Sequence, residues 1–329
     1  MATLVLDRSE LELRADGAAL AVYESGERRG TVALNLVDRV IMQGNIKLDS
    51  GVLTRLAEAG VATVLLSRRQ SKRVAFVLGA GHSDAAVRIA QYRLTLDESW
   101  CSAWAARVVR AKTSTQLRLL RHALSQRPDC RKSLTDAMQS LQGAVDALRA
   151  TPAPPVDIVR GLEGAAAAAY FRGVIALFPE SVGFSGRNRR PPRDPVNACL
   201  SLGYTLLHFE AVRACHAAGL DPMLGFLHRP AFGRESMACD LVEPLRAQVD
   251  AWVWQQFRSR ALRAEGFVHD KGACLLNKAG RAHFYAAWEE LAANLRRHLR
   301  RQCAALVRIL RRQGESLFEP AQAVEDEWS

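Results

Sequence analysis

The chain has 329 residues, of which 45 are lysine or arginine and 34 are aspartate or glutamate, giving a formal net charge of +11. With 49% hydrophobic and 7% aromatic residues, it is neither disordered nor fibrous, and it is long enough for two domains with cores of their own. No run approaches the roughly 18 consecutive apolar residues of a membrane-spanning helix, and Asp7 comes too early for a signal peptide. We therefore expect a cytoplasmic protein with no membrane partner.

The cysteines and the basic residues narrow the class further. Seven cysteines form an odd set without a Cys-x-x-Cys pair, which favours reduced thiols over a disulfide framework or a structural zinc site. Arginine carries most of the positive charge, and its planar guanidinium matches phosphate oxygens. This composition favours a phosphate or nucleic-acid partner.

The first 80 or so residues show the short apolar runs and turn signals of a β-rich region. One short helix is predicted over residues 52–59, capped by Asp49 or Ser50. A turn is predicted over residues 26–30. The predicted strands cover residues 2–6, 11–13, 20–23, 38–42, 61–66 and 73–78.

After residue 83, helical spacing and a high content of Ala, Leu and Arg dominate. Pro- and Gly-rich breaks at 151–155 and 183–192 separate the helices. The predicted helices cover residues 85–124, 134–148 and 277–312, the last ended by Gly314. The fold class is therefore α+β, with a small β-rich N-terminal domain (1–82), a mainly helical C-terminal domain (83–314) and an acidic tail (315–329) that we expect to be flexible.

Two isolated residues are candidates for chemistry. Glu163 lies between two glycines and before a run of alanines on a predicted helix, so it would lie at a crowded contact where a carboxylate needs a partner or a metal. The alternative is a solvated helix glutamate. His228 ends an apolar, strand-like run just before a turn, where active-site residues are common, although a hydrogen-bonded structural histidine fits the same pattern.

A third segment places Asp240, Glu243 and Arg246 three residues apart, on a helix that Ser236 would cap. Pro244 leaves the carbonyl of Asp240 without its helical donor. The structural alternative is a surface ion pair between Glu243 and Arg246. Taken together, the three segments offer carboxylates and one imidazole with no cysteine ligand, a set that suits Mg²⁺ or Mn²⁺ better than Zn²⁺.

Two basic regions are candidates for holding a polyanion. A loop flanked by glycine and proline carries four arginines that can follow a phosphate backbone, and these are the predicted DNA-binding residues: Arg187, Arg189, Arg190 and Arg193. The last predicted helix has an apolar inner stripe and a basic face. The basic face is either solvated or in contact with DNA, and both interpretations are open. Its arginines are Arg296, Arg297, Arg300, Arg301, Arg308, Arg311 and Arg312.

Five stretches in the same order resemble the CRISPR-associated integrases of spacer acquisition, the universal first protein of the adaptation machinery. The resemblance covers most of the chain and is strongest from about residue 161 to residue 288. The stretches are LEGAA with YF at 162–171, DPVNACLSLGY at 194–204, GLDP through GFLH at 219–228, DLVEPLR at 240–246 and LNKAGR at 276–281.

The resemblance implies a catalytic set of five residues. Glu163, His228 and Glu243 fall on the family's divalent-metal ligands, so the implied cofactor is Mg²⁺ or Mn²⁺. Asp240 falls on a nearby acidic residue, and Arg246 on a basic position beside the metal. The resemblance also implies an N-terminal β domain with a C-terminal helical domain, and a homodimer that binds a small companion subunit and double-stranded DNA.

The activity that the resemblance implies is transesterification. A prespacer 3′-hydroxyl attacks a phosphodiester of the CRISPR repeat, and the same site acts as an endonuclease when water replaces the hydroxyl. Two alternatives stay open at this stage. One is a metal-dependent nuclease of branched DNA or RNA without integration, and the other is a noncatalytic nucleic-acid-binding scaffold.

Overall fold

The computed structural model describes residues 2–8, 10–66, 73–79, 84–151, 153–188 and 191–315. The chain forms two compact units, one containing residues 1–81 and 282–292 and the other containing 82–281 and 293–329. Strands dominate the first unit and helices the second, which confirms the predicted α+β class. The predicted domain bounds stay a prediction, and the predicted tail lies outside the described residues except for Glu315, which ends the last helix.

The described part of the first unit contains eight strands, one complete α-helix and residues 282–292 of the last helix. The strands are β1 (Ala2–Leu6), β2 (Leu11–Asp16), β3 (Ala19–Glu24), β4 (Glu27–Ala33), β5 (Val37–Gln43), β6 (Lys47–Leu48), β7 (Ala62–Leu66) and β8 (Arg73–Val77). They form two four-stranded sheets, ordered β1-β5-β7-β8 and β4-β3-β2-β6. Strands β1, β5 and β7 are parallel, and β8 pairs antiparallel with β7. Helix α1 (Ser50–Glu58) is capped by Asp49, which accepts a hydrogen bond from the Val52 amide.

One element of this unit contradicts the sequence prediction. Residues 26–30 are not a turn, because β4 begins at Glu27 and pairs antiparallel with β3. Only Gly26 has a left-handed backbone there, with a φ of 84°. Most of β4 is exposed, and three of its seven residues are charged, so the apolar alternation that marks a half-buried strand is missing from its sequence.

The second unit holds the helices. They are α2 (Ala85–Thr95), α3 (Glu98–Gln126), α4 (Arg131–Ala150), α5 (Val156–Ile175), α6 (Pro195–Ala217), α7 (Ser236–Val242), α8 (Arg246–Arg258) and α9 (Lys278–Glu315), of which residues 282–292 belong to the first unit. A short hairpin of β9 (Phe267–Asp270) and β10 (Ala273–Leu276) precedes α9. Short 3₁₀ turns occur at Leu34–Leu36, Pro128–Cys130, Glu180–Val182, Glu243–Leu245 and Ala264–Gly266. Within the described residues, no helix has the length and apolar character needed to cross a membrane.

Two predicted helix bounds are wrong. The predicted helix over 85–124 is two helices, because Asp97 accepts a hydrogen bond from the Trp100 amide and starts α3. Gly314 does not end the last helix but lies within α9. A Cβ at Gly314 would lie 2.5 Å from the Ala86 carbonyl oxygen, so glycine is needed there for close approach of two backbones rather than for termination.

The core that positions the candidate site lies among α3, α4 and α5. One cluster of buried side chains joins these helices to Leu227 of the loop after α6. The neighbouring Phe226 makes edge contacts with Trp100 and Trp104 of α3, with ring centroids 5.8 Å and 5.4 Å apart. Aromatic pairs and apolar burial therefore fix the segment that leads to His228.

Candidate active site

The structure brings Glu163 and Glu243 together around one cation, the ammonium group of Lys112. Lys112 lies on α3, which packs against both α5 and the 3₁₀ turn Glu243–Leu245. Its Nζ lies 2.5 Å from Glu163 Oε1 and 2.6 Å from Glu243 Oε2. Glu163 is therefore not a solvated helix glutamate. Two carboxylates about 80 residues apart in the chain share one partner.

Glu243 is the more deeply buried of the two, with a side chain only 5% exposed. It opens the 3₁₀ turn that Pro244 imposes between α7 and α8. Burial favours the neutral acid, but the charges of Arg246 and Lys112 outweigh it and lower the pKa of Glu243 to about 2. Arg246 Nε donates to Glu243 Oε1 over 2.9 Å. The predicted ion pair between these residues is present, but it is buried rather than a surface pair.

Asp240 organises the loop that carries His228. One carboxylate oxygen accepts hydrogen bonds from the amides of Phe226 and Leu227, at 2.8 Å and 2.9 Å. The other accepts from the His228 amide at 3.0 Å and lies 2.7 Å from His228 Nδ1. This contact leaves Nε2 as the nitrogen available to a ligand. Asp240 thus positions the imidazole instead of lying beside Glu243 as a second open carboxylate.

Two local expectations about this loop are wrong. The residues before His228 do not form a strand, because turns and side-chain contacts replace sheet pairing there. Gln91 of α2 clamps the loop, donating to the carbonyls of Asp221 and Leu224 at 2.9 Å each. Ser236 begins α7 without capping it, because its hydroxyl bonds instead to Arg234 Nε and the Arg229 carbonyl.

Gly225 permits the close approach between this loop and α7. A Cβ at Gly225 would lie 2.6 Å from the Ser236 carbonyl carbon and 2.8 Å from the His228 carbonyl oxygen. We expect Gly225→Ala to lower the free energy of unfolding by about 1–3 kcal/mol, because backbone atoms must move apart. Urea unfolding measures this. Gly143→Ala is the matched control, since nothing lies within 4 Å of its Cβ on α4, and it should be neutral or stabilising. Equal stability of the two variants would contradict this steric explanation.

Behind Arg246 lies a buried polar network that the sequence did not indicate. The Arg246 guanidinium lies over the Tyr204 ring, 4.6 Å from its centroid. The hydroxyls of Tyr204 and Tyr170 both donate to Asp250 of α8, the second over 2.7 Å. Burial raises the pKa of Asp250 to about 6, although the two tyrosine hydrogen bonds act to lower it. Tyr204, fixed by its hydrogen bond to Asp250, thus packs against the Arg246 guanidinium and keeps it beside Glu243.

The raised pKa of Asp250 predicts a pH dependence of stability. Between about pH 4 and pH 6 the unfolded chain ionises this carboxyl while the folded chain keeps it protonated. The unfolded state then binds fewer protons, so this group's stabilisation is lost as pH rises through 6. Relative to Asp250→Asn, the wild type should lose up to about 3 kcal/mol between pH 4 and pH 7. Urea unfolding of both proteins across this range measures the difference, and parallel profiles would contradict it.

The donor atoms at this site bear on the divalent metal that the resemblance implies. Within the described residues, no three His, Cys, Asp or Glu side chains lie close enough together to hold a metal ion. The donor chemistry nevertheless fits, because Glu163 and Glu243 already converge on one cation. Oε2 of Glu243 is also buried without an aligned hydrogen bond in the described structure. The three-residue ligand set stays a prediction, and Lys112 lies between two of its members.

The structure describes two of the four arginines that were predicted to bind DNA. Arg189 and Arg190 lie outside the described residues, and Arg193 is exposed. Arg187 is not free to follow a phosphate backbone, because its guanidinium donates to Asn197 Oδ1 at 2.7 Å and to Ser201 Oγ at 3.1 Å. Contact between these four residues and DNA stays a prediction.

The last helix has a smaller basic face than the sequence suggested. Arg296 is buried and donates to Glu210 over 2.8 Å, and Arg311 pairs with Asp84 at 2.8 Å. These two arginines are structural. Five arginines remain as candidates on that face: Arg297, Arg300, Arg301, Arg308 and Arg312.

A comparison with known protein families shows to which family this chain belongs. The family model described as CRISPR associated protein Cas1 matches residues 4–290. The chain belongs to the Cas1 family. This confirms the resemblance drawn from the five sequence stretches.

A curated relative shows the same membership at the level of sequence. The chain is 37% identical over 296 residues to the CRISPR-associated endonuclease Cas1 of Thermodesulfovibrio yellowstonii, covering 88% of this chain and 91% of the relative. The relative's name supports the coarser part of the functional prediction, a nuclease of a CRISPR system.

Solved structures share the fold. A Cas1 protein from Thermotoga maritima has a TM-score of 0.79 at 20% identity, with 98% of this chain and 100% of that chain covered. A casposase bound to integration product has a TM-score of 0.79 at 21% identity, with coverage of 100% and 95%. A Cas6-RT-Cas1–Cas2 complex has a TM-score of 0.78 at 21% identity, with coverage of 98% of this chain and 36% of that chain. The Cas1 fold thus extends over nearly the whole molecule.

Lys112 is the residue of this site that sequence reasoning missed. The signal that could have found it is a lysine on the inner stripe of α3, four residues after Val108 and four before Gln116, both of which are buried. A solvated lysine belongs on the opposite face of such a helix. An inward lysine requires a buried acidic partner elsewhere in the fold.

Proposed function

We propose that this Cas1 protein is a divalent-metal-dependent DNA endonuclease and integrase that joins prespacer 3′-hydroxyl ends into a CRISPR repeat. The observation that carries the proposal is the convergence of Glu163 and Glu243 on one cation, beside an imidazole that Asp240 orients. A structural role alone does not require two carboxylates to be held around one charge in a largely buried site.

The proposed reaction exchanges one phosphodiester for another. The prespacer 3′-oxygen forms a bond to a repeat phosphorus, the bond from that phosphorus to its own 3′-oxygen breaks, and the proton of the attacking hydroxyl passes to the leaving oxygen or to solvent. Bond energy is conserved, so the protein must orient the ends and stabilise charge on the phosphoryl oxygens. If water replaces the hydroxyl, the same site cleaves DNA.

Each residue has a defined part in this proposal. Glu163, Glu243 and Nε2 of His228 would hold Mg²⁺ or Mn²⁺, which supplies Lewis-acid polarisation of the phosphate and a more acidic attacking hydroxyl. Asp240 fixes the ring so that Nε2 is presented. Arg246, which contacts Glu243 and Tyr204, would donate from its remaining N–H groups to a phosphate oxygen.

The partners in the proposal are double-stranded DNA of prespacer and repeat, a second copy of the chain and a small companion subunit. The net charge of +11 favours DNA. Structures of the same fold bound to an integration product and in a complex with Cas2 support the DNA and the companion. We also propose a homodimer and a cytoplasmic location, where both DNA substrates are found.

A plasmid assay separates the proposal from its alternatives. Supercoiled plasmid is incubated with the protein, Mn²⁺ and a labelled short duplex bearing free 3′-hydroxyl ends. Label joined covalently to the plasmid supports integration, and nicks without joined label support a nuclease only. A gel shift without either product supports a noncatalytic scaffold and contradicts the proposal.

The arginine-rich loop gives a further prediction about DNA affinity. We expect the double variant Arg189→Ala with Arg190→Ala to weaken duplex binding and to reduce the slope of log affinity against log salt by about 2 at most, because each lost phosphate contact removes about 0.9. Binding titrations at several salt concentrations measure the slope. The control removes the same charge from exposed arginines of β4, Arg28 and Arg29, and should leave the slope near its wild-type value. A loop variant with an unchanged slope does not contact DNA.

A further inference from the structure

We propose that Lys112 is a resident counter-ion of the active site, which holds Glu163 and Glu243 in place without metal and must leave them when a divalent cation binds. This inference rests on the proposed metal dependence of the function. It assigns a positioning role to a residue outside the five stretches that identify the family.

The ammonium group of Lys112 lies between two carboxylates, the position that a bound cation would take. Its side chain is 11% exposed, and its ammonium lies within 2.6 Å of one oxygen from each glutamate. Burial acts to lower the pKa of Lys112, but Glu243 and Glu163 outweigh this, so the pKa lies above the usual lysine value and the group stays charged. The chain has six lysines among its 45 basic residues, and this one is buried where two acids converge.

The two cations exclude each other by position and by charge. Lys112 Nζ lies 2.5 Å from Glu163 Oε1 and 2.6 Å from Glu243 Oε2, so a divalent ion placed between the same two oxygens would meet a like charge at short range. Loading therefore exchanges one cation for another. Part of the intrinsic affinity of the carboxylates for metal is used to break the contacts of Lys112, so Lys112 weakens metal binding while stabilising the metal-free protein.

Lys112→Met tests this directly, because methionine keeps the unbranched side chain without the charge. In EDTA, the variant should lose roughly 10 °C in melting temperature, since two carboxylates are left facing each other without a cation. Its affinity for Mn²⁺, measured by titration calorimetry without DNA, should rise by at least about tenfold, because nothing has to be displaced. Mn²⁺ should also raise its melting temperature more than that of the wild type.

Two further variants make the outcome specific. Arg118→Met removes one positive charge from an exposed position on the same helix and should match the wild type in both measurements. In the double variant Lys112→Met with Glu163→Gln, the two carboxylates no longer repel each other. The melting temperature of this variant in EDTA should therefore return most of the way to the wild-type value. The double variant keeps the inference testable if Lys112→Met alone folds poorly.

Each result decides the role of Lys112. Unchanged Mn²⁺ affinity in a folded Lys112→Met protein would show a merely structural lysine, and reduced affinity would show that lysine and metal act together; both overturn the inference while leaving metal dependence intact. A double variant no more stable in EDTA than the single variant also overturns it. Absence of Mn²⁺ binding in every protein, wild type included, would overturn the proposed metal dependence and the inference with it.

Discussion

Replacing Glu243 by glutamine is expected to abolish both DNA cleavage and strand joining, with a loss of at least about a thousandfold in rate. The substitution keeps the size of the side chain and removes its charge. Because the pKa of Glu243 is about 2, the native carboxylate is ionised throughout the working pH range, so the full negative charge is lost. The positive charges of Lys112 and Arg246 then face a neutral amide.

The plasmid assay measures this loss, and circular dichroism with size-exclusion chromatography checks that the variant remains folded. Glu180→Gln is the control, because Glu180 is exposed in a separate 3₁₀ turn, and it should keep wild-type activity. If folded Glu243→Gln protein joined DNA at more than a tenth of the wild-type rate, this carboxylate would not belong to the catalytic centre.

Replacing Asp240 by asparagine should have the second largest effect, on both stability and activity. Asp240 accepts from three consecutive amides and from His228 Nδ1. An asparagine side chain must turn its NH₂ group toward some of these donors, leaving them buried and unsatisfied. We expect a loss of about 3 kcal/mol in the free energy of unfolding, and a loss of about 10–100-fold in Mn²⁺ affinity as the imidazole loses its orientation.

Urea unfolding and Mn²⁺ titration measure the two effects separately. Asp221→Asn in the same loop is the matched control, since Asp221 lies nearer the surface and its side chain bonds the Met223 amide and the Tyr92 hydroxyl. We expect that control to change stability by no more than about 1 kcal/mol. An Asp240→Asn protein as stable as its control would mean that the loop keeps its conformation without this carboxylate.

The sequence indicated the acidic residues that the structure brings together in the candidate site. What the sequence could not indicate about them has physical causes. Glu163 was found because its small neighbours indicate a crowded contact, and Glu243 because of its spacing to Asp240 and Arg246. The spacing of these carboxylates in the sequence does not indicate that they have different roles. Asp240 faces the loop, whereas Glu243 opens a 3₁₀ turn, and that division depends on how the loop folds back over α7.

Lys112 was missed for a different reason. Its partners are 51 and 131 residues away in the chain, so no local pattern connects them, and helix periodicity alone predicts a burial stripe without saying what a lysine in it contacts. The same kind of limit applies to β4. Its pairing with β3 supplies backbone hydrogen bonds that need no apolar side chains, so strand propensity alone did not mark it.

The fold class and most elements were predictable because they depend on local patterns. The parallel strands of the first unit are short apolar runs, such as Ala62–Leu66, and the long amphipathic α9 shows apolar spacing of about 3.6 residues. The glycines show the limit of local patterns. Gly314 indicated a helix end, but its role is set by the approach of the Ala86 backbone, which only tertiary structure determines.

Anomalous diffraction from crystals grown with Mn²⁺ tests most directly whether three distant side chains share one divalent cation. We predict a single strong peak at the site, within coordination distance of an oxygen of Glu163, an oxygen of Glu243 and Nε2 of His228, with the Lys112 ammonium moved away from both carboxylates. A peak that contacts none of these side chains, or a Lys112 that still lies between the two glutamates at saturating Mn²⁺, would contradict this prediction.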